Sequence, residues 1–439
     1  MKAMHFVHLP GKTGGLLAVL LLASLVAIPL MAACEEEQEE GEGPTPTTTP
    51  TATVTGTATP GAEVPGITDT EIILGSDFAL TGTYGAVYAP LTQALQAYFR
   101  YVNAEQGGVC GRKIVLKVED HQYDPAKALE AVRKLVEGDK VFAIVAGLGT
   151  VPHSAAWEYL NENGVPDLWI MSGAHKWAAD PQEHPWSVGF LPDYVVEGTV
   201  FGKYISENLP GKKVAVLYEN SDAGWDRLAG LKNGLDPDKN ELVSEQSFEL
   251  TDVSIHSQVA NMEKTGAEVA LCFTLPGFCA QAIKGSDRLD WHPQWFIAYT
   301  NADPVMFQYV SAELMEGVLS LQGNKMYDWI DDPAVAEHHR IMEEYGGPTP
   351  SAFTLVGQSA GGLTVEALSG ACDNLTREGL MEAMESFKDF QGDLALPGIT
   401  ITLSETDHLA VEAMRMLRAT LVNGKGKWEY FGELISFAD

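Results

Sequence analysis

Ile72-Ile73-Leu74, the stretch Ala86–Asn103, and Ile114-Val115-Leu116-Lys117-Val118 decide the fold. The outer two are short apolar runs rich in β-branched residues, and the middle one carries apolar residues at helical spacing. The order is therefore strand, helix, strand. Strands that are apolar along their length are buried on both faces, which predicts a parallel sheet with helices over it. Working toward the C-terminus, Phe142 to Val145 and Leu168 to Met171 read as further strands, with Pro125–Glu137 and Pro152–Asn163 as helices. A second series follows Pro192: Val214 to Tyr218, Leu242 to Phe248, Val269 to Phe273, Trp295 to Ala298 and Val318 to Leu321. Two such series predict an α/β protein of two lobes. They are alike in element order, with no residue-level repeat at a fixed period.

A chain of 439 residues is too long for one simple core, which agrees with two domains. Its 28 Lys+Arg against 60 Asp+Glu leave a net charge of −32. Counterion release from a phosphate backbone needs a basic footprint, so nucleic acid is excluded as a partner, and electrostatic attraction to anionic lipid with it.

Upstream of Ile72 the composition changes twice. Residues 34–66 hold an acidic hexapeptide, Glu35 to Glu40, and then a Pro, Thr, Gly and Ala tract that cannot bury enough surface to fold, so a disordered tether is expected. Before it, Lys2 and Lys12 precede an apolar run from Leu16 to Ala33, the pattern of a secretion signal. Leu30-Met31-Ala32-Ala33-Cys34 resembles a bacterial lipobox, with Met31 in place of the usual leucine. Residues 1–33 are then a lipoprotein signal peptide, and Cys34 carries the lipid. The alternative is an uncleaved membrane anchor. Either one leaves the folded part at the outer face of the cell membrane.

Starting at Ile73, a set of short motifs recurs in a recognisable order: Leu74-Gly75-Ser76-Asp77-Phe78-Ala79-Leu80-Thr81-Gly82, Asn103-Ala104-Glu105-Gln106-Gly107-Gly108, Gly111-Arg112, and Glu119-Asp120 with Asp124-Pro125. Asn163-Gly164-Val165-Pro166, Ser172-Gly173-Ala174, Val214 to Asn220 with Asp222 and Gly224, and Leu375-Thr376-Arg377-Glu378-Gly379-Leu380 continue it. Together they resemble the type I periplasmic binding proteins of the leucine/isoleucine/valine-binding family over nearly everything after the tether. The resemblance implies two doubly wound, Rossmann-like lobes joined by three hinge crossings, near Asp193, Gln322 and Asp407. Lobe 1 is then 67–193 and 322–405, and lobe 2 is 194–321 and 406–439. It also implies a monomeric receptor that closes on a small solute and passes it to an ABC permease.

Open α/β sheets bind ligands at the carboxyl ends of their strands. That rule selects Thr81 and Tyr84, then Gly149, Thr150 and Val151, then Ser172, Gly173, Ala174 and His175 from lobe 1. Lobe 2 supplies Ala223, Trp225, Leu275, Tyr299 and Asn301. A helix starting at Val151 or Pro152 aims free amides at an anion. The family's carboxylate-binding turn falls on Gly149-Thr150-Val151-Pro152, so the resemblance implies that the Thr150 hydroxyl donates to a carboxylate; its other role is to cap the helix. Amino-acid binders of the family place an acid for the ligand ammonium after the strand that here ends near Ala298. This chain has Tyr299-Thr300-Asn301, with Asp303 the nearest acid. An unpaired ammonium in a closed cleft is costly, so the solute is expected to lack an α-amino group. Ser172 to Trp177 with Pro185-Trp186 resembles the branch that takes aromatic or aliphatic carboxylates. Tyr84, Trp177 and Trp225 offer stacking surface, while Trp186 at a strand start reads as core.

Export permits disulfides. Besides Cys34 there are Cys110, Cys372, Cys272 and Cys279, either paired in that order or left as buried thiols. No CxxC or HExxH spacing points to a metal, and the adjacent His338 and His339 lie on different helix faces. No cofactor is expected. Gly357-Gln358-Ser359-Ala360-Gly361 satisfies GxSxG and precedes Asp407-His408, the signature of a serine hydrolase. Its setting disagrees, because Ser351 to Ser369 has helical spacing where a nucleophile elbow needs a strand. A non-enzymatic solute receptor is the expectation, with the ligand-binding module of a sensory system as the alternative.

Overall fold

Ile72-Ile73-Leu74 open β1 (Glu71–Phe78), and Ile114 to Val118 form most of β2 (Lys113–Asp120). The two strands run parallel, with Glu71 opposite Lys113 and Phe78 opposite Asp120, and the Gly82–Glu105 helix crosses between them. The computed structural model describes residues 63–437. The signal segment, nearly all of the tether and Cys34 lie outside the described residues.

β3 (Ile144–Val145), β4 (Asp167–Ile170) and β5 (Ser187–Gly189) complete a first sheet of order β2-β1-β3-β4-β5. The second sheet contains β6 (Lys213–Glu219), β7 (Glu241–Phe248), β8 (Val269–Phe273), β9 (Gln294–Ile297) and β10 (Leu319–Gln322). Their order, β7-β6-β8-β9-β10, repeats that of the first sheet, so both lobes are doubly wound. An antiparallel hairpin, β11 (Ala413–Val422) and β12 (Lys425–Ser436), extends the second sheet beside β10. Sequence reading found no strand there. The register shifts between Arg415 and Leu417, and this irregularity breaks the two-residue alternation that marks a half-buried strand.

The chain passes between the sheets three times. It leaves β5 at Gly189 and enters the Tyr194–Asn208 helix, leaves β10 at Gln322, and returns between Leu409, which bridges Gly189, and Ala413. After Gln322 the Pro333–Glu344 and Ala352–Gly370 helices lie against the Gly82–Glu105 helix. A Cβ on Gly357 would stand 2.1 Å from the Leu91 carbonyl, so the last two helices touch backbone to backbone.

Cys110 is joined to Cys372, and Cys272 to Cys279. The first bond ties the chain after the Gly82–Glu105 helix to the end of the Ala352–Gly370 helix; the second closes a short loop that carries Thr274 and Leu275. The GxSxG serine lies inside the Ala352–Gly370 helix, where its Oγ donates to the Leu355 carbonyl at 2.9 Å. His408 is turned to the Ser187 carbonyl and Glu385, so these residues form no triad.

Candidate functional site

A cavity of about 470 Å³ opens where the carboxyl ends of both sheets meet. Leu148, Gly149 and Thr150 reach it from the turn after β3, Glu219 from the end of β6, and Thr274 and Leu275 from the turn after β8. These are the points at which each doubly wound sheet reverses its strand order, the position that geometry favours for a ligand. The volume suits a small organic molecule.

Arg227 is the cation in this wall and is only 2% exposed. Its Nε donates to Glu197 Oε2 at 2.6 Å, Nη1 to the Ala223 carbonyl at 3.0 Å, and the guanidinium lies 3.3 Å over the Tyr194 ring. Its Nη2 is buried with no partner among the described residues. Burial opposes the charge on Arg227, but Glu197, Tyr194 and Tyr299 outweigh it and raise the pKa. Burial likewise pushes the Glu197 pKa up, against the pull of Arg227 and of the Tyr299 amide. A guanidinium does not deprotonate, and the 2.6 Å contact describes an ion pair.

Glu219, 1% exposed, accepts from Ser221 Oγ at 2.6 Å and Thr274 Oγ1 at 2.9 Å, and burial raises its pKa. Thr150 Oγ1 is 2.7 Å from Ser172 Oγ at the start of the Thr150–Glu162 helix. Beneath this turn His153 is held between Asp77 at 3.1 Å and Asp167 at 2.7 Å, all three fully buried. Burial would neutralise His153, but Asp167 and Asp77 overcome it and hold its pKa well above the ordinary value. Among the described residues no group of three His, Cys, Asp or Glu side chains could hold a metal ion.

Comparison with known proteins agrees with this arrangement. The profile described as periplasmic binding protein matches residues 72–427. The chain belongs to the periplasmic binding protein family. A Leu/Ile/Val-binding protein homolog 1 of Brucella abortus is 22% identical over 335 residues, 74% of this chain and 86% of that protein. Among solved structures, a fatty acid ABC transporter substrate-binding protein from Thermomonospora curvata superposes with a TM-score of 0.75 at 24% identity, over 86% of this chain and 95% of that one. A branched-chain amino acid ABC transporter protein from Thermus thermophilus with bound valine gives 0.73 at 21% identity, over 84% and 97%.

Within this periplasmic binding protein, Gly149, Thr150, Ala223, Leu275 and Tyr299 line the cavity as their positions at strand ends imply. The other residues selected from sequence do not border it. Thr81 is hydrogen-bonded to Asp120, and Tyr84 packs against Tyr123 with ring centroids 4.8 Å apart. Val151 is half-buried in the helix, Ser172 backs Thr150, and the Ala174 amide donates to Ser172 Oγ. Gly173 leaves room for Tyr299, since a Cβ there would lie 2.5 Å from the Tyr299 hydroxyl. His175 is occupied by Asp193 at 2.6 Å and its amide by Asp226 at 2.9 Å. Asn301 donates to the Thr274 carbonyl, and Trp225 is half exposed with its indole N–H on Asn220. Trp177 is buried against Trp157 and His153.

Sequence reading passed over Tyr88, Tyr123, Tyr194, Glu219 and Arg227, all of which border the cavity. Two of them carried a signal. Glu219 is the last residue of β6, and Arg227 stands four residues beyond Ala223 on the same face of the Asp222–Gly234 helix.

Proposed function

We propose that this protein is an extracytoplasmic solute receptor of an ABC importer, held at the membrane by lipid on Cys34. In this reading it takes up an organic carboxylate with an apolar body and no α-amino group. The observation that carries the reading is Arg227, the cation that borders the cavity, whose buried Nη2 has no partner among the described residues. A carboxylate satisfies it with a charge-assisted hydrogen bond, whereas an apolar solute leaves it unpaired at a cost of about 1–3 kcal/mol. The Thr150 hydroxyl and the first amides of its helix supply further donors.

The acid nearest the position used for an ammonium, Asp303, is spent elsewhere: it accepts the Phe353 and Val305 amides. Glu219 is the acid at the cleft end of the cavity, and its position favours an amino acid. Its two oxygens already accept hydroxyl donors, which weakens that second reading. Relatives of similar likeness include proteins described for a fatty acid and for valine, so both kinds of solute enter the test.

The test is a thermal-shift panel of aliphatic and aromatic monocarboxylates beside leucine, isoleucine and valine. Acids should raise the melting temperature through binding to the native state, and amino acids should leave it unchanged. The reverse pattern selects the Glu219 reading; silence from both sets contradicts a carboxylate receptor. For the anchor, Cys34→Ala should release the protein from membranes, and retention contradicts lipidation.

A further inference from the structure

We infer that the acid is a long-chain one, bound with its carboxylate in the cleft and its tail threaded through lobe 1; this deepens the proposed function and rests on it. The cavity does not end between the lobes. Its wall continues through Tyr88, Leu91 and Tyr98 on the Gly82–Glu105 helix and through Val356, Gly362 and Leu363 on the Ala352–Gly370 helix. Phe390 and Ile401, bonded to each other through their backbones, close the other side. A compact amino acid does not need such an extension. An extended hydrocarbon does, because every methylene removed from water adds to affinity.

The charges give the direction. The cleft end carries Arg227, and the far end carries Glu366 and Asp393 beside Tyr98, whose pKa is pushed up to about 12 by burial and by these neighbours. The Arg227 charge is balanced by Glu197, and Glu219 lies close by, so a carboxylate is drawn to the first end by hydrogen-bond donors, the Arg227 Nη2 and the Thr150 hydroxyl, while Glu366 and Asp393 repel it from the second. Length can be read from the helices. At a rise of about 1.5 Å per residue, Tyr88 to Tyr98 spans about 15 Å and Phe353 to Glu366 about 20 Å. With C–C bonds of about 1.5 Å, a zigzag chain advances about 1.3 Å per carbon, so the channel holds about 12 to 15 carbons.

Gly362 is the place to test this. A Cβ there meets only the Tyr98 hydroxyl, at 3.8 Å, so a larger side chain enters the channel without striking backbone. Leucine also favours a helix interior over glycine. The experiment measures the affinities of octanoate and hexadecanoate for the wild type and for Gly362→Leu by calorimetry, with circular dichroism to verify the fold. Wild-type affinity should rise along a series of acids up to about 12 to 15 carbons and then level off as the chain emerges between Glu366 and Asp393. The variant should lower the ratio of hexadecanoate to octanoate affinity by at least about tenfold. An unchanged ratio, or a wild type that binds hexadecanoate no better than octanoate, overturns the long-chain assignment and leaves the receptor reading standing. If the wild type binds neither acid, both fall. The wild-type series decides the matter by itself should the variant not fold.

Discussion

Asp303, which follows β9, accepts the backbone N–H of Phe353 at 3.2 Å, and so caps from the second lobe a helix that lines the cavity in the first. Burial raises the Asp303 pKa, while the amides of Val305 and Phe353 and the Ser351 hydroxyl stabilise the charge. Asp303→Ala removes this acceptor while Ser351 still caps the helix, and stability should drop by about 1–3 kcal/mol, the cost of leaving a buried N–H unpaired. Denaturant unfolding measures it. An unchanged midpoint would show that the contact contributes nothing.

Arg227 is held by Glu197 and by stacking on Tyr194, and its Nη2 has no partner among the described residues. Arg227→Lys keeps a charge but loses the planar fork, so acid affinity should fall by at least about tenfold. Arg227→Gln also strands Glu197 in the interior, and stability should fall by about 3–5 kcal/mol. Calorimetry and denaturant unfolding separate the two effects. Full acid affinity in Arg227→Lys would remove Arg227 as the anchor.

Glu219→Gln distinguishes the acid from the amino-acid reading. Its partners Ser221 and Thr274 are hydroxyls, which an amide can still engage. Acid affinity should therefore change by less than about threefold, under one hydrogen bond's worth. A collapse of binding would identify Glu219 as the partner of a ligand cation.

The helices of lobe 1 also predict a pH dependence. His338 is buried against Gln358 at 2.9 Å and Thr354 at 2.8 Å, and burial pushes its pKa down to about 4 although the Gln358 bond opposes this. Below about pH 6.5 the unfolded chain binds a proton that the native state refuses. The contribution of His338 is thus complete above that value and is lost as the pH falls toward 4, by up to about 3 kcal/mol. Unfolding of wild type and His338→Gln across pH 4 to 7 should show a shallower slope in the variant. Parallel slopes would contradict it.

Both sheets were legible in sequence because their inner strands, β3, β4, β8 and β9 above all, are buried on both faces and appear as plain apolar runs; the edge strands β2 and β7 are partly exposed and showed only a shorter apolar core. The β11–β12 hairpin was hidden by its register shift, and the continuation of the Pro125–Arg133 helix as a π-turn over Lys134–Gly138 blurred that helix end. At the site, the strand-end rule found the turns at Thr150 and Leu275, since it concerns backbone position. It could not say which side chains point inward. Thr81 turned to Asp120 and His175 to Asp193, hydrogen bonds between residues well separated in the chain that a residue list does not reveal. Tyr88 and Gly362 were invisible for another reason: the channel exists only because helices far apart in the chain lie side by side.

Calorimetric titration of the protein with a saturated fatty acid and with the alcohol of the same chain length tests the central claim most directly. The acid should bind at least about tenfold more tightly, because only its carboxylate satisfies Arg227. Equal affinity for the alcohol, or displacement of the acid by valine, would contradict it.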